Sequence, residues 1–301
     1  MLRLENVTKD FEDVRAVDSL SLRVETGDIY GLLGPNGAGK TTTLRMIMGI
    51  IRPDRGTISL NNEPITEETK DRIGYLPEER GLYQKMKLRE TVEYFASLKN
   101  MESGLAQERV TGYLERFELI DRAENKIEEL SKGNQQKVQF IISIIHDPQL
   151  LILDEPFSGL DPVNQVLLKE IIGELRERGT TVLLSTHQME QVEKLCERIC
   201  LIHKGAAVLN GNLREIKREY GSRTVRIQSE DSLDPIKGDR AFSHIEIQND
   251  TLIGELKEDV QPHEYLKSLA ERLPVRRFEV VEPSLEQIFM EQVRGGAGEV
   301  A

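Results

Sequence analysis

The stretch Gly34-Pro35-Asn36-Gly37-Ala38-Gly39-Lys40-Thr41-Thr42 constrains this chain more than any other. An apolar run precedes it (Ile29, Tyr30, Leu32, Leu33), which reads as a strand, and Leu44, Met46, Ile47 and Met48 follow, which read as a helix. Strand, glycine loop and helix in that order are the setting a phosphate-binding loop requires. Glycines let backbone N–H groups turn inward around phosphate oxygens, and the helix presents its positive N-terminus to the same anion. Lys40 then reaches the β- and γ-phosphates, and the Thr41 hydroxyl can ligate Mg²⁺. A glycine-rich turn that binds nothing is the plain alternative, and it does not call for both flanking elements.

The chain has 301 residues, length for about two domains. With 38% hydrophobic and 31% charged residues it has the balance of a soluble globular protein. A net charge of −12 argues against a partner such as DNA or RNA, which needs cations along its phosphates. The cysteines, Cys196 and Cys200, lack nearby histidines and read as reduced, partly buried thiols. The N-terminus is charged and alternating, unlike a signal peptide. No apolar run approaches the about 20 residues that cross a bilayer, so work at a membrane would need a second, spanning chain.

Along the chain, residues 2–33 alternate in short apolar and polar runs (Leu2, Leu4, Val7; Leu20, Leu22, Val24), the pattern of an N-terminal antiparallel β subdomain. Thr57 to Leu60 reads as a strand, and Thr66 to about Ile127 as helical, with an insert over about 78–146. A helix starting near Ser131 places Val138, Ile141, Ile142 and Ile145 on one face. Leu150-Leu151-Ile152-Leu153 reads as a strand buried on both faces. The pattern alternates again through Pro162–Arg178, Thr181–Leu184 and Gln188–Cys196. The expected fold is α/β with a largely parallel sheet, a P-loop NTPase core over residues 1–214. Residues 215–301 read as a small α+β domain ending in a Gly/Ala-rich frayed tail.

Asp154 and Glu155 close the buried strand. One carboxylate there can hold the hydration shell of Mg²⁺ and the next can polarise an attacking water. Between loop and carboxylates lies Leu130-Ser131-Lys132-Gly133-Asn134-Gln135-Gln136. Ser158-Gly159-Leu160-Asp161 and His187 follow. With these motifs in this order, residues 2 to about 205 resemble the ATP-binding cassette (ABC) ATPases, whose signature usually reads Leu-Ser-Gly-Gly-Gln.

That resemblance implies an ATPase that uses ATP and Mg²⁺ and is completed only by a second cassette. Gly34 to Thr42 would cradle the triphosphate, with Lys40 on its phosphates. Thr41 and Asp154 would hold the metal with help from Glu78, Glu155 would be the general base, and His187 would contact the γ-phosphate. Ser131 and Gly133, opening a helix, would hold the γ-phosphate of ATP on the partner cassette, and Asp161 would tie the two sites together. Phe11 matches the aromatic that stacks on adenine.

Two departures stand out. Lys132 replaces a glycine of the signature, and Asn134 its terminal glutamine. In Tyr75-Leu76-Pro77-Glu78, Glu78 replaces the usual glutamine; a carboxylate donates no hydrogen bond unless protonated and repels the γ-phosphate. Pro77-Glu78-Glu79-Arg80-Gly81-Leu82-Tyr83 and Glu282-Pro283-Ser284-Leu285-Glu286-Gln287-Ile288-Phe289 are similar to the ATPases of ABC-2 type exporters, including sodium-efflux relatives. The implied function is a peripheral ATPase at the cytoplasmic face of the membrane, paired with a second cassette and a polytopic membrane subunit. Leu82, Tyr83 and Met86 either cradle a helix of that subunit or belong to the insert's core. The alternative reading is a soluble ABC ATPase or a regulatory one that hardly hydrolyses ATP, and Glu78 favours only the regulatory form.

Overall fold

The protein is described from a computed structural model that covers every residue except Arg80, Gly221, Ser222, Asn249, Glu258 and 297–301. It divides into two compact units, Met1–Asn212 and Leu213–Ala301. In chain order the first unit carries β1 (Leu2–Phe11), β2 (Val14–Val24), β3 (Ile29–Leu33), α1 (Lys40–Ile47), β4 (Arg55–Leu60), β5 (Glu63–Pro64), α2 (Glu67–Asp71) and β6 (Ile73–Leu76). There follow α3 (Leu88–Leu98), α4 (Ser103–Arg116), α5 (Lys132–Ile144), β7 (Leu150–Asp154), α6 (Pro162–Glu177), β8 (Thr181–Thr186), α7 (Met189–Leu195), β9 (Arg198–His203) and β10 (Ala206–Asn212).

β1 runs antiparallel to both β2 and β4. Leu2, Leu4 and Val7 are all buried although Leu4 and Val7 are out of step for a regular strand. Asn6, at φ 47°, breaks the register between them and returns Val7 to the core face. The second sheet has six strands in the order β10-β9-β3-β8-β7-β6, parallel except for β10. Strand β7, between β8 and the edge strand β6, is apolar from Leu150 to Leu153, and each of these residues is 0% exposed. A strand covered on both faces needs such a run, and it carries Asp154 to the strand's carboxyl end.

The segment expected to be helical from Thr66 onward contains a strand instead. Ile73–Leu76 forms β6 and pairs in parallel with β7 from Ile73↔Leu150 to Leu76↔Leu153. A short run with a glycine inside carries little strand signal, so pairing with β7 decides its state. Gly74 also marks where α5 lies against β6. A Cβ there would sit 2.0 Å from the Ser143 carbonyl oxygen. The Gln139 amide donates to the Glu79 carbonyl at 3.3 Å, and His146 Nε2 stands 3.3 Å from the Ile73 carbonyl.

Leu82 is 8% exposed and belongs to the core, which removes it from the proposed helix cradle. Tyr83 is exposed instead and packs against Tyr94 and Phe95 of α3 at centroid distances of 5.8 and 6.1 Å. Cys196 and Cys200 are free and buried, and burial pushes both thiols well above the ordinary cysteine range. No helix among the described residues is long and apolar enough to cross a membrane.

The second unit comprises α8 (Leu213–Glu219), β11 (Thr224–Ser229), β12 (Phe242–Gln248), β13 (Thr251–Leu256), α9 (Pro262–Ala270), β14 (Val275–Val281) and α10 (Leu285–Gly296). Its antiparallel sheet has the order β12-β13-β11-β14. Val225, Ile227, Leu252 and Leu256 pack with Tyr265 and Leu269 of α9. The sequence-expected tail is helical as far as Gly296, and its remaining residues, 297–301, lie outside the described ones.

Gly74→Ala should lower stability by roughly 1–3 kcal/mol, because α5 and β6 cannot both stay in place around a methyl group. Gly112→Ala, in the middle of α4 where a Cβ meets nothing within 4 Å, should raise it by roughly 0.5–1 kcal/mol. Urea unfolding midpoints at an unchanged slope would measure both.

Candidate functional site

The loop after β3 and the start of α1 form one wall of a cleft of about 470 Å³. Asn36 to Thr42 line it, with Glu78, Asp154 and Glu155 on one side and Val14, Arg15, Ala16, Lys204 and Gly205 on the other. The loop turns into α1 through Gly39, at φ 108°, where a Cβ would lie 2.3 Å from the Ala16 carbonyl oxygen. Only glycine accommodates both the backbone and that approach. The Lys40 ammonium is folded onto the loop and donates to the carbonyls of Gly34 (2.8 Å) and Pro35 (3.3 Å). Burial lowers its pKa, opposed by the charges of Glu155, Asp154 and Glu78.

One strand end supplies both acids, and the end of the neighbouring strand supplies their hydroxyl donors. Asp154, 1% exposed, accepts from the Ser185 hydroxyl at 2.8 Å and the Thr41 hydroxyl at 3.2 Å. Burial raises its pKa, and these two hydrogen bonds counter the shift by favouring the carboxylate. Glu155 leaves the strand in a left-handed conformation, φ 50°, with its N–H on the Ser185 carbonyl at 2.9 Å. That turn directs the Glu155 carboxylate toward the end of β8. One oxygen accepts from the Thr186 hydroxyl at 2.8 Å; the other accepts from the His187 N–H at 2.9 Å and lies 2.7 Å from His187 Nδ1.

The cleft thus gathers the expected Asn36–Thr42, Glu78, Asp154 and Glu155. Gly34 and Pro35 contribute through their carbonyls, and His187 adjoins through Glu155. Phe11 does not line it. Its ring is 46% exposed with the Lys9 ammonium 5.3 Å from its centroid, and it pairs across the hairpin with Val14, which does line the cleft.

Ser131, Gly133 and Asp161 stand together elsewhere. Ser131 caps α5 by accepting from the Asn134 N–H at 3.3 Å, and Asp161 caps α6 by accepting from the Asn164 N–H at 2.9 Å. The Asn164 N–H, with a second bond from the Asn164 side-chain amide, holds the Asp161 carboxyl below its usual range. A Cβ on Gly133 would lie 3.3 Å from the Gly159 carbonyl, which brings the two caps side by side.

Sequence reasoning stopped β8 at Leu184 and so missed Ser185 and Thr186. The available signal was a Ser-Thr pair at the carboxyl end of a buried strand, where α/β folds place their ligands. Arg15, Lys204 and Gly205 lie far from the loop in sequence and carried no such signal.

The ABC transporter family profile matches residues 17–158, and that of the ATP-binding protein DrrA1-3-like C-terminal domain matches residues 211–293. The chain is 46% identical over 293 residues to an uncharacterised ABC transporter ATP-binding protein of Bacillus subtilis (strain 168), spanning 97% of this chain and 98% of that one. It is 38% identical over 252 residues to a Nod factor export ATP-binding protein I of Burkholderia lata, spanning 82% and 83%. Among solved structures, a dimeric post-hydrolysis state of an ATP-binding cassette bound to ADP and phosphate superposes with a TM-score of 0.65 at 26% identity, over 71% of this chain and 99% of that one.

Lys40→Ala should leave the fold intact and weaken ATP binding on the order of 100-fold, the loss of two or so charge-assisted hydrogen bonds to phosphate. Titration with a fluorescent ATP analogue would measure it.

Proposed function

The chain belongs to the ATP-binding proteins of ABC transporters, and on that premise we propose that it is the ATPase subunit of an exporter whose membrane-spanning part is a separate chain. The observation that carries the catalytic half is the pair Asp154 and Glu155, buried at the end of β7 in the same cleft as the Lys40 loop. The DrrA1-3-like match over residues 211–293 and the likeness to a Nod factor export protein support the export half. In this reading residues 1–214 are the ATP-binding domain and residues 215–301 an accessory domain.

ATP enters the cleft with its triphosphate over the loop. The Lys40 ammonium exchanges the Gly34 and Pro35 carbonyls for the β- and γ-phosphates, and the amides that open α1 hold the same anion. Phe11 stands outside the cleft but pairs with Val14 at its lining, and in this reading its ring turns in to stack on adenine. The Thr41 hydroxyl and the Asp154 and Glu78 carboxylates are oxygen donors suited to a hard cation, and the 3.2 Å between Thr41 and Asp154 fits a shared ligand. Held by these oxygens, Mg²⁺ would supply charge neutralisation for the phosphates. Glu155 takes a proton from the attacking water, and His187 contacts the γ-phosphate.

Ser131 and Gly133 point this chemistry at a second copy. They lie outside their own chain's cleft, next to Asp161, so a head-to-tail partner receives them at its γ-phosphate and the two sites close together. Such a dimer works as a peripheral protein on the cytoplasmic face of a membrane, without nucleic acid. The exposed Tyr83, Tyr94 and Leu98, with Phe95 behind them, form an apolar patch suited to a helix of the spanning subunit.

Glu155→Gln should keep ATP binding and lose magnesium-dependent turnover by roughly 100-fold or more, with a dimer accumulating in ATP. Undiminished turnover in that variant would remove Glu155 from the mechanism. Gentle detergent extraction of the tagged chain should recover a polytopic membrane protein in equal amount, identified by mass. Recovery of the chain alone from the soluble fraction would overturn the exporter reading.

A further inference from the structure

Thr186 ends β8 with 1% of its surface exposed, and its hydroxyl has two partners. It accepts the Gln188 N–H at 3.0 Å and lies 2.8 Å from Oε2 of Glu155. A hydroxyl owns one proton. Since the Gln188 amide brings its own, the Thr186 proton is directed at Glu155, and Oε2 serves as its acceptor.

The other oxygen, Oε1, has different neighbours: the His187 N–H at 2.9 Å and the His187 ring at 2.7 Å. The ring belongs to a side chain that is 52% exposed, whereas the Glu155 side chain is 6% exposed. Thr186 and the His187 amide are therefore the fixed part of this arrangement, and the imidazole is the part free to swing. Glu155 needs fixing, because its left-handed backbone, φ 50°, departs from the strand that would otherwise aim its side chain.

We propose that Thr186 is a positioning residue for ATP hydrolysis: its bond to Oε2, with the His187 N–H on Oε1, fixes the orientation of the Glu155 carboxylate, and the site on Oε1 that faces the His187 ring receives the water's proton once that ring moves away. The inference rests on the reading of Glu155 as general base. In the step itself the water oxygen bonds to the γ-phosphorus, and the bond from that phosphorus to the bridging oxygen breaks. The electron pair departs with ADP, and one water proton passes to Oε1. Thr186 touches neither water nor phosphate; it holds the carboxylate in one orientation, and a misaligned base loses rate even where the substrate binds normally.

The test is steady-state ATP turnover by the full chain with magnesium. Thr186→Val keeps the shape and removes the hydroxyl; it should lower kcat roughly tenfold, the weight of one hydrogen bond to a charged group, at unchanged KM. Thr186→Ser should restore most of the rate. Combined with Glu155→Gln, Thr186→Val should cost nothing more, because the two act as one unit. An unchanged kcat in Thr186→Val beside an inactive Glu155→Gln overturns the inference while the base assignment stands. A loss confined to KM, or an equal loss in both backgrounds, also overturns it. Full turnover in Glu155→Gln removes the base and the inference together. Thr186→Ala provides the same comparison should the valine variant fail to fold.

Discussion

A carboxylate at the end of a strand buried on both faces must be met by donors, and much of the first unit is arranged around meeting Asp154. Desolvation alone would drive that group toward its neutral form. The Ser185 hydroxyl from β8 and the Thr41 hydroxyl from α1 counter it, each from an element that neighbours β7 across or above the sheet. The same two elements bring the rest of the cleft with them. The α1 helix begins at Lys40, and β8 ends in Thr186 just before His187. One unfavourable burial, relieved by two hydroxyls, thus sets the relative places of the phosphate loop, the acid pair and the histidine.

What could be read from the sequence followed from local patterns. Leu150 to Leu153 declared a doubly covered strand, and the glycine loop declared its own strand and helix. Ser131 and Asp161 obey helix-capping rules as well as family motifs, so local chemistry and resemblance agree on where α5 and α6 begin. What could not be read depends on neighbours. Ile73–Leu76 is a strand because β7 offers it a free edge, and nothing within those residues requires it. Ser185 and Thr186 matter because of the carboxylates they face, on a strand remote in sequence. Phe11 shows the reverse: the sequence motif assigns it a role, while the ring as placed stands outside the cleft beside Lys9.

The second unit has its own antiparallel sheet and its own core, with Tyr265 closed over by Phe242 at a centroid distance of 5.1 Å. The Tyr265 hydroxyl donates to Asp239, which also receives Arg272, so a polar tie seals the edge of an apolar centre. An independent core of this kind lets the C-terminal residues vary in purpose without disturbing the cassette.

The contact at Gly74 gives α5 the character of a lever. In its second half the helix is held to β6 and the Glu78 loop by the Ser143 approach and by Gln139, and just past its end by His146. Ser131 caps the other end, about 18 Å away at 1.5 Å per residue. With those holds in its second half and just beyond, a tilt too small to disturb the packing at Gly74 becomes a larger displacement at Ser131. The Glu78 loop beside the cleft and the Ser131 cap are thus tied to one helix, and a glycine that leaves no slack determines how they share their motion.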